Sequence, residues 1–236
     1  MPSDVAPDFA VLIPAAGRSL RFAGGDRSKL AEHISDRPVL AWATAAFLSR
    51  GDVAEIIIAA ADIAGARELL ADLLPTVPDG RVKFVRGGTS RAESVLAALL
   101  AVSPSCAFVA VHDGARPFIS RPTIDRVFAA ARAHGAAGPA LPVELTIKQA
   151  TGPLPAPISR TIPRHTLWAM QTPQAARRAD LLAAFAACPI PLAQVTDDLQ
   201  LLELTGRPAF LVEGDPANIK ITRPEDLHHP HAKTPP

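Results

Sequence analysis

Ala107-Phe-Val-Ala-Val-His-Asp-Gly-Ala-Arg-Pro117 is the stretch that decides the fold. Ala107–Val111 carries no polar side chain, so it reads as a strand covered on both faces, as strands of a helix-flanked parallel sheet are. The run breaks into a polar loop at His112-Asp-Gly114. Ser120 then caps a helix expected to reach about His134, with Pro122 in its first turn. The same unit recurs on either side. Upstream, Phe9–Ile13 is an apolar run that ends at Pro14-Ala-Ala-Gly17, and Val39–Leu48 has helical spacing with Leu40, Ala43 and Phe47 on one side. Glu55–Ala60 reads as a β-branched strand, Ile63–Leu74 as helix and Val82–Val85 as strand. Ser90 opens a helix with a capping box completed by Glu93. Downstream, helical spacing returns at Ala179–Ala187 and Asp197–Leu204, with Gly206 as a stop, and two strands are expected at Ala209–Val212 and Ile219–Ile221. Strands alternating with helices of this length predict a doubly wound α/β sheet.

The alternation fails between Gly138 and Gln174. That segment holds seven prolines and short β-like pieces at Thr146–Lys148 and Ile158–Ile162, so it reads as an arm outside the core. Its apolar residues Leu141, Val143, Ile147, Ile158 and Ile162 have no cover of their own, which predicts packing against a second copy.

Composition narrows the functions. The chain has 236 residues, 48% of them hydrophobic, with a formal net charge of +1. This fits one domain, residues 1–236, with an elaboration. It gives no support for a non-specific nucleic-acid binder, which needs a basic face. Cys106 and Cys188 lie far apart in apolar surroundings and read as reduced thiols. No apolar run reaches the roughly 18 residues of a membrane span. Met1–Asp8 has no basic or apolar signal region, so a cytoplasmic protein is expected, with a frayed tail from about residue 228.

Ligands of open α/β sheets bind at the carboxyl ends of the strands. Three loops there have suggestive content. Pro14–Phe22, followed by Lys29, offers small residues that let backbone N–H groups approach a phosphate chain, with Arg18, Arg21 and Lys29 as cations. Gly87-Gly-Thr-Ser-Arg91 runs into a capped helix, and its paired glycines leave room for a planar base. Asp113, just past an apolar strand, is placed to hold a hard cation, and Arg116 to clamp a phosphate. Lys220 sits in Asn218-Ile-Lys-Ile-Thr222, where it can face a phosphate-filled cleft. The first loop is not a P-loop, and no dinucleotide glycine fingerprint is present, which argues against an oxidoreductase. Phosphate-binding backbone, several cations and one metal-ligand carboxylate suit phosphoryl or nucleotidyl transfer.

In their order these motifs resemble the 2-C-methyl-D-erythritol 4-phosphate cytidylyltransferase family. The pieces are Ala15-Ala-Gly17 with Arg21 and Lys29; Gly87-Gly88 with Arg91, Ser94 and Val95; Val111–Pro117; Pro142-Val143 with Thr146-Ile-Lys148; Leu167-Trp168 with Gln171-Thr-Pro-Gln174; Thr196-Asp-Asp198; and Asn218–Thr222 with Pro224–Leu227. The resemblance implies a Rossmann-like nucleotide-diphospho-sugar transferase (GT-A-like) fold, with a mixed, mostly parallel sheet and a dimerising β-arm at about 138–174. It implies CTP and Mg²⁺, and transfer of a cytidylyl group to 2-C-methyl-D-erythritol 4-phosphate. Ala15, Ala16 and Gly17 would wrap the triphosphate. Gly87, Gly88, Arg91 and Ser94 would lie on the cytidine side, and Asp113 would bind the metal. Arg21, Lys29 and Lys220 would stabilise the transition state. Arg116, Thr146, Arg164, Thr196 and Lys220 would take the acceptor phosphate, with Thr146 and Arg164 reaching across the dimer. Departures fall at Ser19, Ser28, Gly114 and Leu145. Leu145 replaces an aspartate expected to bind polyol hydroxyls, which leaves ribitol 5-phosphate open as the acceptor. The altered first loop leaves open a nucleotide-binding homologue with impaired activity.

Overall fold

The structure is a computed structural model and describes residues 7–17 and 28–228. The strands are β1 (Phe9–Ala15), β2 (His33–Ile34), β3 (Arg37–Pro38), β4 (Val53–Ala60), β5 (Val82–Arg86), β6 (Phe108–Val111), β7 (Ala136–Pro142), β8 (Ile147–Ala150), β9 (Ile158–Ile162), β10 (Trp168–Met170), β11 (Gln174–Arg177) and β12 (Phe210–Glu213). The α-helices are α1 (Val39–Leu48), α2 (Ile63–Glu68), α3 (Arg91–Leu100), α4 (Arg121–His134), α5 (Arg178–Ala186) and α6 (Asp198–Leu204).

β5, β4, β1 and β6 lie side by side and parallel. β11 continues the sheet antiparallel to β6, and β7 follows. β7 takes β12 in parallel along its free edge, and β10 antiparallel near its end. The result is the mixed, mostly parallel sheet expected.

Alternation along β1 explains the layers. Phe9, Val11 and Ile13 point into a core shared with Leu40 and Phe47 of α1 and with Ile124, Val127 and Phe128 of α4. Ala10 and Leu12 point the other way, onto Val95 and Leu99 of α3, Leu181 of α5 and Leu199 and Leu202 of α6. β4 divides likewise, with Ile56 and Ile58 on one side and Ile57 on the other. Each such buried side chain contributes about 1.5–3 kcal/mol, so both faces need an unbroken apolar strand. That is why these strands carry no polar alternation.

Several details differ from the expectations. The arm is narrower than 138–174, because Ala136–Pro142, Trp168–Met170 and Gln174–Arg177 all join the central sheet. Gly138 makes this possible, since a Cβ there would come within 2.9 Å of a Leu199 methyl. Only β8 and β9 stand apart, as a two-stranded antiparallel hairpin. The helix expected over Ile63–Leu74 stops at Glu68, and turns carry the chain on to a 3₁₀ turn at Leu74–Thr76. There the Leu70 and Ala71 N–H groups bond to the Arg67 and Glu68 carbonyls, three residues back, in place of the helical ladder. Ile219–Ile221 is not a strand; the Ile221 N–H bonds to the Ala115 carbonyl, and the rest is loop. Ser120 precedes α4 as expected, but its side chain caps nothing; the hydroxyl donates to Asp215 Oδ2 at 2.8 Å instead. The Ser90–Glu93 capping box is present in full. Among the described residues, no helix is long and apolar enough to cross a membrane. The tail from residue 229 lies outside the described residues.

Candidate active site

The chain runs from β1 outward to β4 and β5, then returns to place β6 on the other side of β1. The carboxyl ends of β1 and β6 therefore flank the switch point, where a crevice opens. Ala15-Ala-Gly17 leaves β1 and His112–Pro117 leaves β6, so both loops reach the same crevice. The Gly87 turn after β5 joins them. A Cβ on Gly87 would overlap the Ala16 methyl, so glycine is what lets these loops touch. Ser94 Oγ accepts the Gly88 N–H at 3.1 Å and donates to the Ser90 carbonyl at 2.9 Å. At 2% exposure, Ser94 shapes the turn from behind rather than lining the surface.

A cleft of about 360 Å³ lies beside the β6 loop. It is lined by Arg91, Asp113, Arg116, Thr196, Asp197 and Lys220, among others. Asp113 is its centre. Lys220 Nζ lies 2.8 Å and Arg116 Nε 3.5 Å from its Oδ2, and Arg91 Nε 3.1 Å from its Oδ1. Burial alone would raise the Asp113 pKa, but Arg91, Lys220 and Arg116 together hold it well below the usual carboxylate range. The Arg116 pKa is lowered as well, because its own burial outweighs the attraction of Asp113. Its Nη1 donates to the Asn218 carbonyl at 2.7 Å, which fixes the guanidinium from behind.

The loop holding Asp113 is set by a closed chain of hydrogen bonds. The Asp113 N–H donates to Thr172 Oγ1 at 3.1 Å, and Thr172 Oγ1 meets His112 Nδ1 at 3.1 Å. His112 Nε2 lies 3.0 Å from the Arg116 carbonyl, which can only accept, so Nε2 carries the proton and Nδ1 accepts from Thr172. Burial pushes the His112 pKa down to about 4, so the ring is neutral and structural at pH 7. Of the four buried side-chain atoms without a hydrogen-bond partner among the described residues, three lie at this site: Arg116 Nε, Asp198 Oδ1 and Asn218 Oδ1. Such groups are costly unless something completes them.

The structure thus brings together Arg91, Asp113, Arg116, Thr196 and Lys220 from the residues singled out in the sequence. Lys29 is adjacent, its Nζ donating to the Ile221 carbonyl at 2.8 Å. Arg21 lies outside the described residues. Thr146 and Arg164 are exposed and do not line the cleft of their own chain. His112 reads from the sequence as a packed or hydrogen-bonded histidine rather than a base, and the structure agrees. Sequence reasoning assigned no role of their own to Thr172, Gln174, Asp198 and Asn218, although all four stand in the motifs quoted above. A larger cavity, about 1080 Å³, is elsewhere: an apolar groove between the arm and β12, lined by Leu141, Val143, Leu145, Ile147, Trp168 and Leu211.

Solved structures share this fold. The 2-C-methyl-D-erythritol 4-phosphate cytidylyltransferase of Thermus thermophilus aligns with a TM-score of 0.71 at 35% identity, covering 93% of this chain and 95% of that one. The Francisella tularensis enzyme of the same name aligns with a TM-score of 0.77 at 28% identity, covering 94% and 97%. The fold is that of the α/β nucleotidyltransferases. The family model for 2-C-methyl-D-erythritol 4-phosphate cytidylyltransferase matches residues 9–233. The Gloeobacter violaceus protein of that name is 42% identical over 219 residues, 92% of each chain. A bifunctional IspD/IspF enzyme of Desulfotalea psychrophila is 39% identical over 92% of this chain, which spans 54% of that longer protein. The chain belongs to the 2-C-methyl-D-erythritol 4-phosphate cytidylyltransferase family.

Proposed function

We propose that the chain transfers a cytidylyl group from CTP to 2-C-methyl-D-erythritol 4-phosphate and releases pyrophosphate. The observation that carries this reading is the group of three cations, Arg91, Arg116 and Lys220, around one ionised carboxylate at the switch point. An acceptor phosphate oxygen attacks the α-phosphorus of CTP, the bond to the bridging oxygen breaks, and that oxygen leaves with pyrophosphate. A phosphate monoester is already ionised near pH 7, so no protein base is needed. The obstacle is repulsion between two anions. Lys220 and Arg116 reduce it by facing the cleft, and Lys29 stands behind the same segment. The backbone of Ala15–Gly17 offers N–H groups to the nucleotide, while the N–H groups of Gly87 and Gly88 are taken by the Ala60 carbonyl and Ser94 Oγ, so that turn offers the base room rather than donors.

Mg²⁺ fits this site in one way. Among the described residues no three His, Cys, Asp or Glu side chains form a metal group, so the protein would offer Asp113 alone. One carboxylate completed by nucleotide phosphates is a usual magnesium donor set. When bound there, the ion would withdraw charge from the triphosphate.

A second copy of the chain completes the acceptor side in this reading. Leu145, Leu154, Ile158, Trp168, Phe210 and Leu211 are large apolar side chains left exposed on the arm, β10 and β12. Thr146 and Arg164 lie on that arm, away from their own cleft. A two-fold homodimer would cover the groove and carry both residues to the partner's cleft. Cys106 and Cys188 are free thiols, which suits a cytoplasmic enzyme. The test is pyrophosphate release from CTP and Mg²⁺ with methylerythritol phosphate, run beside ribitol 5-phosphate. Release that depends on the first acceptor supports the proposal, and release only with the second transfers the activity to that substrate.

A further inference from the structure

The Thr196-Asp-Asp198 motif includes a carboxylate that the assigned reaction does not use. Asp198 is the first residue of α6, yet it does not cap the helix. Asp197 does that, accepting the Gln200 N–H at 2.9 Å. Asp198 is instead turned inward and 2% exposed, and its Oδ1 has no hydrogen-bond partner among the described residues. Its Oδ2 has one, Arg91 Nη2 at 2.7 Å. A buried carboxylate with half its acceptor capacity unmet is costly, so packing alone does not account for it.

Gln174 of β11 fixes its place. Gln174 Oε1 accepts the N–H groups of Asp198 and Leu199 at 2.8 and 3.1 Å, and its Nε2 donates to Asp197 Oδ2 at 2.9 Å. The start of α6 is thereby held against the sheet. Across from it, Arg91 is the first residue of α3, the end of a helix where a cation is disfavoured. Its guanidinium spans two carboxylates, with Nε on Asp113 Oδ1 and Nη2 on Asp198 Oδ2. Burial opposes its charge, but Asp198 first and Asp113 second outweigh it and leave its pKa above the ordinary value.

We propose that Asp198 is a positioning residue for the transfer: by holding the outer edge of Arg91 it keeps Asp113 shared among Arg91, Arg116 and Lys220. A guanidinium freed from Asp198 can turn its fork onto Asp113 and engage both oxygens. Lys220 and Arg116 then lose the carboxylate that aims them, and small displacements of such groups cost large factors in rate. Burial raises the Asp198 pKa and Arg91 opposes that shift; with the carboxylate held ionised by the 2.7 Å pair to Arg91, the same change removes one negative charge beside the cleft, which favours binding of an anionic nucleotide. Turnover and nucleotide affinity therefore move in different directions.

This inference rests on the proposed cytidylyl transfer and is tested by Asp198→Asn in the full chain. The expected result is a fall in kcat of at least about tenfold, with a calorimetric Kd for CTP equal to or tighter than the parent's. A kcat within twofold of the parent overturns the proposal. So does a joint loss of kcat and CTP affinity, which is what a loosened site would give. Arg91→Lys supplies the second variant if Asp198→Asn does not fold. Lysine keeps the charge but lacks the fork that spans two carboxylates, so the fall in kcat is expected without a gain in CTP affinity, and parental turnover overturns the proposal. A crystal structure of Asp198→Asn reads the claim without turnover. Arg91 should fold onto Asp113, and Lys220 should leave its 2.8 Å contact; an unchanged arrangement overturns the proposal. A parent that transfers nothing from CTP overturns the assigned activity instead, and this crystallographic result then judges the positioning claim alone.

Discussion

Asp113→Asn removes one charge from the centre of the site and almost no volume. In the parent, three cations lie 2.8 to 3.5 Å from its carboxylate oxygens. At an effective dielectric constant near 20, each pair is worth about 5 kcal/mol before desolvation. Most of this is offset. The variant no longer buries a carboxylate, and Lys220, 42% exposed, can turn into water. Arg91 and Arg116 cannot, because both are held by other partners. Breaking a buried ion pair costs about 3–5 kcal/mol, and the freedom of Lys220 places this variant at about 3. For a chain of this length that is a fall in Tm of about 6–12 °C. Calorimetric melts of parent and variant at pH 7 measure it. Pyrophosphate should stabilise the variant more than the parent, because it returns negative charge to a cluster of cations that has lost Asp113. The reasoning is refuted by a Tm within 2 °C of the parent, or by equal pyrophosphate shifts in both proteins. The pH dependence has a definite sign. The folded pKa of Asp113 is depressed, so its contribution is present above the unfolded value near 3.9 and is lost as pH falls through the folded pKa. The gap between parent and variant should stay flat from pH 8 to 5 and close only in stronger acid.

His112 has the complementary behaviour. It is buried neutral with a pKa of about 4, so the unfolded chain binds the extra proton between pH 6.5 and 4. The parent should lose about 3 kcal/mol over that range, and chemical denaturation of His112→Asn should show a slope flatter by that amount. Lys29→Ala and Lys220→Ala should each lower turnover by about a hundredfold, the scale for one preorganised donor; steady-state pyrophosphate release checks both, and near-parental rates would remove these lysines from the chemistry. Mixing inactive Lys29→Ala and Arg164→Ala chains under subunit exchange should restore partial activity, since one site of the mixed dimer is then intact. Continued inactivity after proven exchange would place Arg164 outside the partner's site. Gly87→Ala should destabilise by about 1–3 kcal/mol because of its overlap with Ala16, and an unchanged Tm would show that the two loops can separate.

What was legible in the sequence was what neighbouring residues decide. The span of α1, the Ser90–Glu93 capping box and the loops after β1, β5 and β6 all follow from local periodicity and local partners. Arg91, Asp113 and Arg116 were placed in one cleft by a rule about strand ends, Lys220 by its position in a short apolar segment, and Thr196 by the family resemblance alone. The misreadings share a cause. Gly138–Pro142 reads as arm because of Gly138, Pro139 and Pro142, yet it belongs to the strand Ala136–Pro142 once Leu199, Met170 and Gln174 pack where a side chain at Gly138 would lie. Ile219–Ile221 has the composition of a strand but finds no strand beside it. Asp198 and Asn218 meet their partners Arg91 and Arg116 across 107 and 102 residues of sequence. No local pattern carries such pairings, because they exist only once two strand-end loops and a helix start have converged.

The most direct test of the account is pyrophosphate release by the purified chain supplied with CTP, Mg²⁺ and 2-C-methyl-D-erythritol 4-phosphate. The account predicts release that requires all three, together with a product carrying one cytidylyl group per acceptor. Parent protein that binds CTP but releases pyrophosphate no faster with the acceptor than without it would contradict the assignment.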